Sequence, residues 1–269
     1  MGNICVIGPR KSGKTTYLAA LAYLSEKDNQ NYQITGITND AKKLGDQAQT
    51  IILQGANMQP TEIDGVKIKS VFDLPLYSFK LEIKRRWLPK KEDIDLVFRD
   101  YPGEIFDELA SGIYKPVHQE FIDECFVKDV VGCLLLLHRW DRGGDRFYSQ
   151  LMNRFIDLMD DRDRSLDLRL AVAMSKCERG ELWPGRLDPE IDLFKVHLPR
   201  TTSILRNKMP PQNLRFYAIS PFGVLKRNDP RPNRLDELGS EHSVLRQTSE
   251  WAPYGMISPL YWLSKGKRM

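Results

Sequence analysis

The run Gly8-Pro9-Arg10-Lys11-Ser12-Gly13-Lys14-Thr15 is a complete G-x-x-x-x-G-K-T phosphate loop, and it constrains this chain more than any other feature. The apolar Ile4-Cys5-Val6-Ile7 precedes it and the helix-forming Tyr17-Leu18-Ala19-Ala20-Leu21-Ala22 follows, so the order is strand, loop, helix. Gly8 and Gly13 let backbone N–H groups curl around a phosphate at a helix N-terminus, where unpaired donors and the helix dipole favour negative charge. The candidate contacts to a nucleoside triphosphate are therefore Gly8, Lys11, Ser12, Gly13, Lys14, Thr15 and Thr16. Lys14 reaches the β- and γ-phosphates in such a loop, and the Thr15 hydroxyl is placed to hold Mg²⁺.

The pattern downstream extends this start into an α/β domain. Tyr77 to Lys84 alternates apolar and polar residues, turns at Leu88-Pro89-Lys90-Lys91 and re-enters as Ile94 to Phe98, which predicts an antiparallel hairpin. Three later apolar runs, Val130 to Leu137, Leu170 to Met174 and Leu214 to Ile219, are separated by helical stretches, so a mostly parallel sheet covered on both faces is expected. A last helix is expected within Tyr254 to Leu263, with Pro259 near its start. No Gly/Ser linker divides the 269 residues, which read as one domain with insertions at 28–75 and 226–250. The first insertion shows no sustained period, and the second is rich in Asn, Asp, Pro and Arg and reads as a mobile loop.

Composition narrows the partners. Forty basic against 36 acidic side chains leave a net charge of +4, too balanced to argue for nucleic acid. The cationic hairpin tip Lys84-Arg85-Arg86-Trp87 with Lys90-Lys91 mixes cations and an aromatic, a combination that could bind nucleic acid or an acidic partner, and reads first as a solvated strand end. No apolar run is long enough to cross a bilayer, and no signal sequence is evident, so a cytoplasmic location is expected. Cys5, Cys125, Cys133 and Cys177 have no metal-ligand spacing and read as reduced, mostly buried thiols. His118, His138, His197 and His242 show no paired metal spacing and are given no chemistry.

The second informative element is Asp100-Tyr101-Pro102-Gly103, directly behind the strand Ile94 to Phe98. A carboxylate at the carboxyl end of a strand beside the loop strand is placed to hold Mg²⁺ through water, and the Gly103 N–H to meet the γ-phosphate.

Together these residues resemble the Ras-like P-loop GTPases of the translation-factor-related class. The resemblance implies a three-layer α/β domain, a mostly parallel sheet with one antiparallel strand, and Mg²⁺-dependent binding and hydrolysis of GTP. The family's water-orienting glutamine after Gly103 is here Glu104, a carboxylate that could orient or deprotonate water. Ser175-Lys176-Cys177-Glu178 stands as a degenerate form of the family's N-K-x-D base motif, with Lys176 stacking on the purine and Glu178 accepting from guanine N1 and N2. Ser220, in Ser220-Pro221-Phe222-Gly223, matches the loop whose amide meets guanine O6. The switch threonine that closes onto Mg²⁺ is sought among Thr35, Thr38, Thr50 and Thr61, and Thr61 is best placed, between the Gly55 to Pro60 breaker region and the next strand. Large GTPases related to guanylate-binding proteins carry an arginine finger in this loop at the position of Lys11, so Lys11 or its neighbour Arg10 is a candidate catalytic cation beside Lys14 and Glu104.

More narrowly, the D-x-P-G-E form, the S-P-F-G loop and the C-terminal Pro-Leu-Tyr-Trp-Leu run resemble the bacterial double-GTPase/GTPase-associated group. That implies a molecular switch within a multi-component system, with a protein effector or regulator, or a second copy of the chain in a homodimer, as partners. Two alternatives stay open: an ATPase of similar fold, favoured by the degenerate base motif, and a non-hydrolysing nucleotide-bound scaffold, favoured by Glu104.

Overall fold

Ile4, Cys5, Val6 and Ile7 are all buried, with Ile4 and Val6 packing into one apolar cluster and Cys5 and Ile7 into another. A strand buried on both faces in this way reads as a continuous apolar run rather than as an alternation. The computed structural model describes residues 2–24, 32–54, 70–84, 92–112, 116–226, 228–236 and 243–269. Its elements run β1 (Asn3–Ile7), α1 (Lys14–Leu24), β2 (Tyr32–Gly36), α2 (Asn39–Gln54), β3 (Leu76–Ile83), β4 (Glu92–Arg99), α3 (Gly103–Ser111), α4 (Pro116–Glu124) and β5 (Val130–Leu137). They continue through α5 (Arg142–Asp160), β6 (Arg169–Met174), α6 (Lys195–His197), α7 (Pro199–Lys208) and β7 (Leu214–Ala218). Four short strands, β8 (Val224–Lys226), β9 (Asp229–Pro232), β10 (Leu235–Asp236) and β11 (Ser243–Val244), precede α8 (Ser258–Lys265).

The sheet order is β1-β5-β6-β7, all parallel. Beside it lies the antiparallel set β2-β3-β4, joined to β1 by a parallel bridge between Val6 and Asp100. Of these seven strands β3 alone runs against the rest, as the expected fold class requires. Helices cover both faces. On one side Cys133, Leu135, Val172 and Met174 pack with Phe106, Phe121, Phe155 and Leu205 from α3, α4, α5 and α7. On the other, Leu134, Leu136, Ala171 and Ala173 pack with Leu18, Leu21, Leu44, Leu260 and Trp262 from α1, α2 and α8. The helical period is plainest in α5, where Tyr148, Leu151, Met152, Phe155, Ile156 and Met159 are the buried face and Asp141 caps the start by accepting from Gly144 N at 2.6 Å.

The expected hairpin is β3–β4, in the register Phe79 opposite Leu96; its tip, 85–91, lies outside the described residues. Two readings are corrected. The segment 28–75 carries a strand and a helix: β2 pairs with β3, and α2 buries Ala41, Leu44 and Ala48. Among the described side chains of α2 that stripe is small and set among charges, which hid its period. The segment 226–250, read as a mobile loop, is tied down where it is described. Asn233 is fully buried, donates from Nδ2 to Gln247 O and accepts at Oδ1 from Gln247 N, both at 2.8 Å.

Candidate functional site

The Gly8–Thr15 loop turns on residues with positive φ. Gly13 sits at 87°, Lys11 at 63° and Gly8 at 150°. A side chain on Gly8 would bring its Cβ within 2.5 Å of Leu136 O and 2.9 Å of Ser12 Oγ, so only glycine lets the loop close on β5. Lys14 starts α1 and is 7% exposed; its ammonium donates to Gly8 O at 2.8 Å and Pro9 O at 3.2 Å. Burial lowers its pKa, against the raising influence of Asp100 and Asp107. Ser12 is fully buried, and its Oγ has no hydrogen-bond partner among the described residues. The loop thus holds a cation and an unsatisfied hydroxyl over a left-handed backbone turn, a donor set that fits an anion.

Asp100 continues β4 past its end and accepts from Thr15 Oγ1 at 2.5 Å. An alcohol beside a carboxylate is the oxygen set that a hard divalent cation takes, and Thr16, one residue on, is half-buried. Gly103 opens α3 so close to the loop that a Cβ there would lie 2.5 Å from Arg10 N and 2.7 Å from Arg10 Cα. Glu104 and Arg10 form an ion pair at 2.5 Å, the arginine 61% exposed and the carboxylate 10%. The structure therefore brings these two predicted catalytic groups together by pairing them with each other. Lys11 is exposed on the outside of the turn. Asp107, which the sequence did not single out, accepts from Arg10 N at 3.5 Å, and burial raises its pKa.

The residues expected to meet the base begin on the segment after β6. Ser175 donates from Oγ to Ser12 O at 2.7 Å and to Leu137 O at 3.1 Å, tying this segment to the loop. Lys176 has a φ of 59°, and its Cε is the nearest atom that a Cβ on Gly13 would meet, at 3.9 Å, so its side chain lies over the loop. Glu178 is buried, and neither carboxylate oxygen has a hydrogen-bond partner among the described residues. Its counter-charge is Arg234 Nη1 at 3.6 Å, from the turn between β9 and β10, whose guanidinium lies 5.5 Å from the centre of the Phe222 ring. Ser220 departs from expectation. Its N–H donates to Tyr254 O at 2.9 Å and its Oγ accepts from Gly223 N at 2.7 Å, while Pro221 has no N–H. The amide expected to meet guanine O6 is spent within the fold.

Of the threonines weighed for the cation, Thr61 lies outside the described residues. Thr35 is on β2 and Thr50 on α2, both exposed. Thr38 precedes α2, donating to Leu76 O at 2.8 Å and accepting from Ala41 N at 3.2 Å, a helix-capping role. His138, given no chemistry from sequence, follows β5 into the site, and its pKa is pushed down to about 3 by burial and by Lys176, Arg139, Lys14 and Arg179. Those four cations converge from three different segments, which no local pattern announces.

No protein-family model matches this chain, and no curated protein matches it. Solved structures do. The chain is similar to one described as the signal recognition particle receptor SRb-GTP/SRX complex from Chaetomium thermophilum, at 13% identity and a TM-score of 0.40, over 83% of this chain and 92% of that one. It is also similar to the S. cerevisiae Ski7 GTPase-like domain bound to GTP, at 14% identity and 0.40, over 85% and 45%. A third is sup35 complexed with GMPPNP, at 11% identity and 0.35, over 82% and 37%. This chain spans less than half of the Ski7 and sup35 chains. All three scores are below 0.5, and the architecture described above rests on the strand order and register of this chain alone.

Proposed function

We propose that this protein binds a nucleoside triphosphate with Mg²⁺ in the Gly8–Thr15 loop and hydrolyses GTP. On this reading it works as a cytoplasmic molecular switch on a protein effector, in a bacterial multi-component system of the double-GTPase/GTPase-associated kind. The observation that carries the reading is Lys14, a buried ammonium held on two loop carbonyls beside the Thr15–Asp100 pair. A buried ammonium whose hydrogen bonds go to two neutral carbonyls, with Asp100 and Asp107 acting on it against the cost of burial, gains from a bound anion, because attraction between charges strengthens where water is excluded. Bound phosphates would draw Lys14 from Gly8 O and Pro9 O, Gly103 would offer its N–H, and Thr15 and Asp100 would hold the metal. The metal would neutralise charge that develops on the transferred phosphoryl group. Glu104 then positions water, with Arg10 released from its pair to face the phosphates, or with Lys11 in that role.

The ATPase alternative is favoured by one observation: Glu178 is paired with Arg234 and buried, so a guanine reader is here in the hands of another group. Competition between GTP and ATP for a labelled analogue decides between the two. Guanine preference is expected, and equal competition would move the assignment to ATP. Lys14→Ala is expected to weaken triphosphate binding at least about 100-fold, about 2.7 kcal/mol, with an unchanged circular dichroism spectrum. Wild-type affinity in that variant by calorimetry would sink the triphosphate reading.

A further inference from the structure

Cys5 on β1, Cys125 just past α4 and Cys133 on β5 are remote in sequence, yet their three sulfurs lie within 4.8 Å of one another, all buried. The spacing that the sequence lacks is supplied by the fold, since β1 and β5 are hydrogen-bonded neighbours with Cys5 opposite Cys133. A polar chain leads from this cluster toward solvent. Tyr101 Oη is 3.5 Å from Cys5 Sγ and donates to Glu124 Oε2 at 2.7 Å, and Arg99 Nε holds Glu124 Oε1 at 2.9 Å. Glu124 is about one-fifth exposed, 21%, so the chain of donors reaches the surface.

We propose that Cys5, Cys125 and Cys133 form a trithiolate site for one borderline-soft divalent cation of the Zn²⁺ class, with the Tyr101 phenol or the Glu124 carboxylate as fourth donor. Three sulfurs about 2.3 Å from a tetrahedral ion stand about 3.8 Å apart, so the cluster needs to tighten by no more than about 1 Å. Binding exchanges each S–H bond for a metal–sulfur bond and releases its proton to solvent, two from Cys125 and Cys133 and a third to the extent that Cys5 is protonated. The complex carries excess negative charge, and two cations favour it: Arg99 acts on Cys5 and Arg164 on Cys133. Arg164 is held by Phe126 O at 2.7 Å and Val130 O at 2.6 Å. Hard cations such as Mg²⁺ prefer the oxygen pair at Thr15 and Asp100, so the two sites select different metals.

The test uses the reduced full-length chain and Co²⁺ as a spectroscopic probe, because a thiolate-bound Co²⁺ shows a sulfur-to-metal charge-transfer band that an oxygen site lacks. One equivalent is expected to give that band, one equivalent of Zn²⁺ to abolish it, and Cys177→Ser to keep it. Cys5→Ser and Cys133→Ser are expected to weaken binding about 100-fold or more, beyond what altering an outer-shell partner costs. Should either variant fail to fold, calorimetry of the wild type with Zn²⁺ in buffers of different ionisation enthalpy counts the protons, and about two to three per metal are expected. Absence of the band in the wild type, its survival in both serine variants, or metal binding without proton release would each overturn the site.

Discussion

His138 shows how a single side chain can report on the charge gathered around it. Burial and four cations hold its pKa at about 3, against an ordinary value of 6.5. Below about pH 6.5 the unfolded chain takes up a proton that the folded chain refuses, so this group lowers stability as pH falls from 6.5 toward 3. At pH 5 the penalty is about 2 kcal/mol, since each unit of pKa difference is worth 1.36 kcal/mol. Urea denaturation at pH 7.5 and pH 5 is expected to show a stability drop about 2 kcal/mol smaller in His138→Asn than in the wild type; equal drops would mean that the imidazole is protonated in the folded state. The residues fixed by a contiguous motif, Gly8 to Thr15, were legible in the sequence because their spacing is the geometry. Asp107 and His138 were not, because what matters about them is which distant charges they face. Ser220 was legible as a position and misread as a donor, since its N–H partner Tyr254 lies beyond the second insertion.

Among the elements, α3 is the one whose placement the site depends on most. Its first residue, Gly103, meets the backbone of Arg10 and Pro9 so closely that a methyl group would stand 2.5 Å from Arg10 N and 2.8 Å from Pro9 C. Neither contact is the tip of a flexible side chain, so the helix or the loop must move. Gly103→Ala is therefore expected to cost about 1–3 kcal/mol of stability, the range for overpacking a close contact, and to weaken nucleotide binding along with it. Thermal melting and calorimetry on the same sample check both, and unchanged values in each would show that α3 is not docked on the loop. Strands and helices with large apolar faces, such as β5 and α5, were legible because burial of Leu, Phe and Met leaves a strong period. β2 and α2 were not. β2 buries only Ile34 well, and the described side chains that α2 buries are the small Ala41 and Ala48 with Leu44, so tertiary contact with β3 and α1 decides what these residues barely suggest.

At the scale of the whole molecule, the C-terminal third folds back onto the site that the first fifteen residues begin. Tyr17 Oη donates to Met256 O at 2.6 Å, Trp251 Nε1 to Pro221 O at 2.8 Å, and Ser220 and Tyr254 exchange backbone bonds. Through Arg234 the β9–β10 turn reaches the carboxylate that the resemblance marks as the base reader. This pair is buried on both sides, the arginine side chain 9% exposed and the glutamate 0%, so removing Arg234 takes this counter-charge from a buried carboxylate. Breaking such a pair costs about 3–5 kcal/mol, part of which is the charge left on the buried partner. Arg234→Ala is accordingly expected to lower stability by about 3 kcal/mol, and Arg234→Ala with Glu178→Gln to recover part of that loss in urea denaturation. The same variants separate the nucleotide readings. With Arg234 gone, Glu178 is free to accept from guanine N1 and N2, so Arg234→Ala is expected to favour GTP over ATP more strongly than the wild type, and the double variant to lose that gain because an amide accepts more weakly than a carboxylate. If the single variant is destabilised while the GTP-to-ATP ratio stays fixed in all three proteins, Glu178 serves only to anchor the C-terminal arm, and the base is read elsewhere.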